Sequence, residues 1–166
     1  MSEKDNVMTS KLKCSTIFDY KETYKFIYNM LVDMEYFIVE KRYDEKIMPE
    51  GKEVEIEWEA KRKISDYFRF ILKLKWRVVK LVEVEVEENG KRKKMNKADL
   101  EIKISATIEK DYEHRWQNNP FTKFMRGLYD KFIIRGRIEM YEDKIFSEAE
   151  EVIAQAKAFL SLEGKR

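Results

Sequence analysis

The chain contains one histidine and one cysteine, the residue types most often used for proton transfer or nucleophilic attack near neutral pH. His114 lies between Glu113 and Arg115, and no serine or cysteine in its sequence context completes a catalytic triad. We therefore interpret His114 as a surface side chain. Cys14 falls on the apolar phase of a short alternating run and is interpreted as a small buried hydrophobe. A lone cysteine cannot form an internal disulfide, which fits a reducing cytosol.

Metal and nucleotide sites have residue patterns that this sequence lacks. A zinc site needs paired Cys and His ligands, and a calcium loop needs closely spaced oxygen ligands around a glycine turn. The five glycines are scattered along the chain, so none forms a phosphate-binding loop. We expect no metal ion and no cofactor. Glu40 and Asp99 depart from the regular pattern, but both are expected to face water, which favours a non-enzymatic protein over an enzyme.

A cationic segment offers a second kind of chemistry, contact with phosphate groups. Five cations and one acid, Asp130, lie between residues 121 and 137, beside an apolar stripe at helical spacing. Four more cations lie at a predicted hairpin tip. Such a surface could contact nucleic acid, the ribosome or an anionic membrane surface. The residues of this alternative are Lys91, Arg92, Lys93, Lys94, Arg126, Lys131, Arg135 and Arg137. The competing interpretation is a core-packed helix with a solvated face, and tip cations that pair with nearby glutamates.

Strict alternation of charged and apolar residues predicts the strands that would position these groups. Glutamate alternates with apolar residues over 53–60, and lysine or arginine does so over 68–78. Period two is typical of strands with one buried and one exposed face. We predict strands at about 11–18, 36–47, 53–64, 67–87 and 93–109. The strand at 67–87 is unusually long, so it should bend where the alternation slips, near Val78–Val82.

The pairing between these strands depends on parity, that is, on whether the numbers of paired residues sum to an odd or an even value. Asn89-Gly90 is the strongest hairpin signal, but a two-residue loop carried through the whole hairpin would place Val78 opposite Glu101. Pairing Val78 with Leu100 instead requires a three-residue loop with Gly90 in the left-handed region, or a bulge further down. A turn at Ser65-Asp66 sets the glutamates of one strand beside the cations of the next, on the exposed face.

Capping residues and helical spacing predict the helices. Asp19 caps a helix at about 20–34, and Asn119 precedes a second one that extends to Phe132. A last helix begins near Asp143 or Ser147, and residues 133–141 are either helix or strand.

Composition bounds the class of protein. Charged residues make up 40% of the chain, and the net charge is +2, so no overall field attracts nucleic acid or membrane. Abundant lysine and glutamate with scarce glutamine is thermophile-like. Residues 1–10 lack the apolar core of a secretory signal, and no long apolar run exists, so a cytoplasmic protein without a transmembrane segment is expected. We predict a flexible tail at 1–10 and one domain at 11–163.

The order of elements is strand, helix, long antiparallel meander and C-terminal helices, and it resembles the helix-grip arrangement of START-like proteins, the polyketide-cyclase and plant-allergen superfamily. The resemblance covers about residues 11–163 and implies a cavity for a lipid or another hydrophobic small molecule. The aromatic phase of the sheet and the second helix would line this cavity. The predicted ligand-binding residues are Trp58, Phe70, Trp76, Phe124 and Leu128. A filled core is the competing interpretation of the same residues, and the oligomeric state is not predicted.

Overall fold

The structure, a computed structural model, describes residues 2–114, 119–133 and 135–164 of the 166-residue chain. The strands are β1 (Glu3–Phe18), β2 (Phe37–Met48), β3 (Gly51–Lys63), β4 (Phe68–Glu88) and β5 (Lys91–Lys110), and the helices are α1 (Tyr20–Asp33), α2 (Pro120–Leu128) and α3 (Arg135–Gly164). A π-helical turn, Tyr129–Ile133, follows α2. The strands form one antiparallel sheet in the order β1-β5-β4-β3-β2. The predicted α+β class, a long antiparallel meander packed against an N-terminal helix and C-terminal helices, is confirmed.

The alternation in the sequence gives the sheet two different faces. Trp58, Trp76 and Ile102 lie on the inner face, which α1 and α3 cover, and each is at most 2% exposed. The pairs Val78–Leu100 and Trp76–Ile102 follow the predicted even register. The apolar stripe of α3 completes the core with Ile145, Ala149, Val152, Ile153, Ala156 and Leu160.

The outer face carries the charged ladders. Glu57 and Lys75 are register partners with an ion pair of 3.6 Å, and Glu59 and Lys73 form one of 4.0 Å. These pairs confirm the parity prediction for the turn at residues 65–66. Exposed pairs of this kind contribute at most about 1 kcal/mol each to stability, and the ladders form a charged, solvated face of the sheet.

The β4–β5 hairpin has a two-residue turn and a bulge. Asn89 (φ 51°) and Gly90 (φ 75°) both have positive φ, as a type I′ turn requires, and Glu88 pairs with Lys91. The register then shifts between Val79 and Val82, where Lys80 has a φ of 56°. The bulge further down the hairpin is therefore correct, and the three-residue loop is wrong. The bend falls at the predicted position, since the bulge restores apolar pairing in the core.

The sequence predicted a flexible tail at residues 1–10, whereas in the structure β1 already begins at Glu3; Met1 lies outside the described residues. Residues 3–10 pair with the end of β5, with a register shift between Asn6 and Met8. This irregularity leaves Val7 out of the ladder and breaks the period-two pattern, so the sequence does not alternate there. The alternation of residues 11–18 is only the second half of the strand.

The C-terminal region also differs from the prediction. Asn119 and Pro120 do start α2, and the Asn119 side chain accepts a hydrogen bond from the Thr122 backbone at 2.8 Å. The last helix starts at Arg135 instead of Asp143 or Ser147, so residues 135–141 of the undecided 133–141 segment are helix, while Ile134 lies outside the described residues. Ser147, a potential helix cap, lies inside α3, which runs unbroken through this position. The buried stripe of α3 keeps the helix packed on the sheet.

Candidate functional site

The five predicted ligand-binding residues do not lie together. Trp58, Phe70 and Trp76 are at most 2% exposed and belong to the packed core under α1 and α3. Phe124 is 63% exposed and Leu128 is 37% exposed, both on the outward side of α2. The inner-face aromatics are therefore core side chains, and the second helix does not close over them.

A small aromatic cluster joins this core to the solvent-exposed edge of the sheet. The Tyr24 ring meets the Trp58 ring edge-on, with 4.9 Å between the centroids. Both side chains donate hydrogen bonds to one carboxylate oxygen of Glu40, the Trp58 indole over 3.0 Å. Glu40 is exposed, as expected, but it is held in place by two donors. The neighbouring Trp76 indole nitrogen is buried and has no hydrogen-bond partner among the described residues.

Next to this cluster, a cleft opens between α1 and the far ends of β2–β5. Its volume is about 780 Å³. The apolar part of the lining comes from Leu81, Val82 and Met95 and from the rings of the tyrosines that face them. The lining residues on α1 and β2 include Tyr20, Tyr24, Tyr43 and Glu45, and charged residues on the strands include Lys52, Glu83 and Lys94. The cleft is partly open to solvent, and its lining contains none of the five residues that the sequence predicted to line a cavity.

Two strand irregularities place these side chains at the cleft. In β2 the register shifts between Glu40 and Arg42, so Tyr43 pairs with Ile56 and Glu45 pairs with Val54 of the inner face. Without the shift, Tyr43 and Glu45 would share the outer phase of Val39. In β4 the bulge at residues 80–81 bends the strand and brings its next residues to the cleft.

The start of α1 is fixed on the same side. Asp19 caps the helix by accepting from the Glu22 backbone at 3.1 Å, as predicted. The Tyr20 backbone N–H donates to the Asn96 side chain of β5 at 3.1 Å. These two contacts position the Tyr20 ring over the cleft without using its hydroxyl group.

A chain of hydroxyl groups runs along the cleft wall. Tyr43 donates to Glu45 over 2.9 Å, and the Tyr20 and Tyr43 hydroxyl oxygens are 3.1 Å apart. Because the single Tyr43 proton is directed at Glu45, Tyr20 must donate to Tyr43. Burial and the Tyr43 hydrogen bond raise the pKa of Tyr20, and burial also raises the pKa of Tyr43. Both hydroxyls are therefore protonated at neutral pH, and the wall presents two fixed hydroxyl dipoles that end on the Glu45 carboxylate.

Charges at the rim of the cleft are paired across neighbouring strands. The Lys94 ammonium lies 3.2 Å from Glu83, and the Lys52 ammonium lies 3.9 Å from Glu45. All four side chains are at least 44% exposed, so these pairs can open to a ligand at little cost. Within the described residues, no group of His, Cys, Asp and Glu side chains could hold a metal ion.

The cations of the alternative site lie on two separate surfaces. At the hairpin tip, Arg92 lies 3.9 Å from Glu85 and Lys94 pairs with Glu83. On α2, Arg126 turns toward the body of the protein, while Lys131, Arg135 and Arg137 are exposed. Arg92 and Lys94 thus match the interpretation as partners of neighbouring glutamates, and Arg126 is not part of a free basic face.

Cys14 and His114 lie where the sequence predicted. Cys14 is half-buried against the core, and burial, followed by the nearby Asp99 carboxylate, raises the pKa of its thiol. A thiol with a raised pKa is a poor nucleophile. His114 is exposed in a turn after β5, and Asp99 accepts a hydrogen bond from Ser15 at 2.6 Å. Sequence reasoning missed Tyr20, Tyr43 and Glu45, because residues 36–47 show no regular alternation that would reveal the register shift at Lys41.

In comparisons with known proteins, no family model matches the chain, and no curated protein matches it. Among the described residues, no helix is both long and apolar enough to cross a membrane.

Proposed function

We propose that this protein binds a small hydrophobic molecule with a polar head, such as a lipid, in the cleft between α1 and the ends of β2–β5. The observation that carries the proposal is the combination of apolar lining and convergent polar groups in one cleft of about 780 Å³. Ligand sites for small molecules typically have this size and this mixture. The resemblance to helix-grip proteins points to the same class of ligand.

Each part of the cleft has a role in this proposal. Leu81, Val82 and Met95 contact the apolar body of the ligand, whose burial supplies most of the affinity. Lys52 and Lys94 at the rim interact with an anionic or strongly polar head. The Tyr20–Tyr43–Glu45 chain fixes the wall, so that little side-chain freedom is lost when the ligand binds.

The proposal can be tested with a fluorescent fatty acid and with the protein from its own cells. Native mass spectrometry of the purified protein should reveal a bound small molecule. Parinaric acid should bind with one saturable site, and its affinity should change little between low and high salt because the contact is mainly apolar.

A matched pair of variants locates the site. Val82 lines the cleft and is 38% exposed, while Val39 is 37% exposed on the outer face of β2. Val82→Trp fills the cleft and should weaken parinaric acid binding by about tenfold or more, which is about 1.4 kcal/mol or more. Val39→Trp should leave the affinity unchanged. Equal effects of the two variants, or no saturable binding together with no co-purified molecule, would contradict the proposal.

A further inference from the structure

The apolar stripe of α2 faces away from the protein. Phe121, Phe124 and Phe132 are 69%, 63% and 70% exposed, and Met125 and Leu128 lie between them on the same side. Amphipathic helices of globular proteins normally bury this stripe. The sequence predicted that these aromatics would face the sheet, and this prediction is wrong. Monomeric proteins rarely expose a contiguous apolar surface of this kind unless it contacts a partner.

Polar contacts on the opposite side of the helix hold it in this orientation. The Arg126 side chain is only 14% exposed, and its guanidinium donates to the Tyr67 hydroxyl at 3.2 Å and to Glu3 at 3.1 Å. Tyr129, one turn further, packs edge-on against the Tyr67 ring. The inward face of α2 is therefore the polar one, and rotating the apolar stripe inward would break these contacts.

Exposed cations lie along the same segment of the chain as the stripe. Lys123, Lys131, Arg135 and Arg137 are all exposed around α2 and the start of α3. Arg135 has an exposed partner, Glu139, at 3.8 Å, and the Lys131 ammonium lies 5.4 Å from the Phe132 ring centroid. Aromatic side chains flanked by lysine and arginine are typical of helices that lie in the interface of an anionic membrane.

We propose that α2 docks this protein on an anionic lipid bilayer, with Phe121, Phe124 and Phe132 inserted among the lipid chains. Lys123, Lys131, Arg135 and Arg137 contact the lipid headgroups. Charge complementarity selects this occupant over a purely apolar partner surface, because exposed cations lie on α2, on the turn after it and at the start of α3, and the Lys131 ammonium is 5.4 Å from the Phe132 ring centroid. The contact is peripheral, since no described helix is long and apolar enough to cross a membrane. This surface lies at the end of the sheet where β1 begins and β5 ends, and the ligand cleft lies at the other end.

Vesicle co-sedimentation of the full chain tests the proposal. The protein should bind vesicles of phosphatidylcholine mixed with phosphatidylserine, and bind vesicles of phosphatidylcholine alone more weakly. The triple variant F121S/F124S/F132S should reduce binding by more than about tenfold, because each buried phenylalanine contributes strongly to partitioning. All three side chains are exposed, so the thermal unfolding midpoint of the variant should match that of the native chain. Ile47→Ser serves as a matched control, since Ile47 is 87% exposed on β2 and should not affect binding.

Two charge variants separate local from global electrostatics. K131Q/R135Q/R137Q and K91Q/R92Q/K93Q each remove three positive charges, so both change the formal net charge from +2 to −1. The first should reduce binding to anionic vesicles by about tenfold or more and remove its salt dependence. The second, at the hairpin tip, should change binding by less than about twofold, since exposed charges beyond a Debye length are screened.

Several outcomes would overturn the proposal. One is equal loss of vesicle binding in both charge variants, which would indicate a nonspecific effect of net charge. A second is retained vesicle binding in the phenylalanine variant. A third is salt-sensitive binding to polyuridylic acid but not to vesicles, which would assign the surface to nucleic acid. A fourth is a dimer in sedimentation velocity that the phenylalanine variant dissociates, without vesicle binding by the native chain. None of these outcomes changes the parinaric acid result, so the two proposals fail independently.

Discussion

The guanidinium of Arg126 lies 3.1 Å from the Glu3 carboxylate and 3.7 Å from a carboxylate oxygen of Asp111, so one side chain of α2 joins the start of β1 to the end of β5. Asp111 is 1% exposed. The same end of the sheet holds Glu109, which accepts hydrogen bonds from Ser2 and Arg69. Charged residues thus fix the first strand and the second helix at a place where the sequence suggested a loose tail and a core-packed helix.

Replacement of Arg126 by glutamine should therefore destabilise the protein. The variant leaves the buried Asp111 beside a neutral side chain, and loss of one partner from a buried pair costs about 3–5 kcal/mol when burial is complete. Since Arg126 retains some exposure, we expect a decrease of about 2–3 kcal/mol in the free energy of unfolding, measured by urea denaturation. Arg135→Gln is the control, because its exposed pair with Glu139 should contribute at most about 0.5 kcal/mol. Equal stabilities of the two variants would contradict a structural role for Arg126.

The two buried tryptophans of the inner face allow a comparison of a satisfied and an unsatisfied indole. The Trp58 indole donates to Glu40 at 3.0 Å, whereas the Trp76 indole nitrogen has no partner among the described residues. A buried donor without a partner is costly, so removing it offsets part of the packing loss. Trp58→Phe should cost about 1–2 kcal/mol more than Trp76→Phe in urea denaturation.

The same volume is removed in both phenylalanine variants, which makes each the control for the other. Trp76→Ala, which removes the whole ring from a packed position, should cost about 3–5 kcal/mol. A larger loss in the free energy of unfolding for Trp76→Phe than for Trp58→Phe would show that the Trp76 indole does have a hydrogen-bond partner.

Gly51 should be the least replaceable glycine of the sheet. Its φ is 137°, a conformation that side chains disfavour, and a Cβ atom there would lie 2.8 Å from the backbone carbon of Lys80 in the β4 bulge. Gly51→Ala should lower the thermal unfolding midpoint more than Gly90→Ala. Gly90 has a φ of 75°, and no atom lies within 4 Å of a Cβ atom added there. We expect about 1–2 kcal/mol for Gly90→Ala and a larger loss for Gly51→Ala. A smaller loss at Gly51 would mean that the bulge can move away.

Regular alternation made most of the sheet predictable. Trp76 and Lys75 differ in exposure because their side chains point to opposite faces of the sheet, and the alternation in the sequence predicts this difference. The slip in alternation near Lys80 located the bend, and parity gave the register of β4 with β5, although the three-residue loop was wrong. The pairing of β1 with β5 was not predicted.

The candidate site was less predictable, because it depends on the places where the pattern fails. A bulge at Lys41 moves Tyr43 and Glu45 to the inner face, and the local alternation alone does not indicate this. The orientation of α2 was also beyond the sequence. An apolar stripe predicts a buried face by default, and only the contacts of Arg126 with distant residues reverse it.

The tyrosines beside the cleft should make the stability of the protein fall at alkaline pH. Burial, followed by the hydrogen bond and the charge of Glu40, raises the pKa of Tyr24 from 10.0 to about 12. An unfolded chain loses this proton near pH 10, before the folded chain does, so rising pH favours unfolding. The contribution of Tyr24 is fully present below about pH 10 and is lost between pH 10 and about 12. The measurements are urea denaturation across this range and tyrosinate absorbance of the folded protein.

Glu40→Gln removes the charged acceptor, so Tyr24 should titrate closer to its ordinary pKa and the loss of stability should be shallower. Identical titration curves for the native chain and Glu40→Gln would show that Glu40 does not hold the Tyr24 proton.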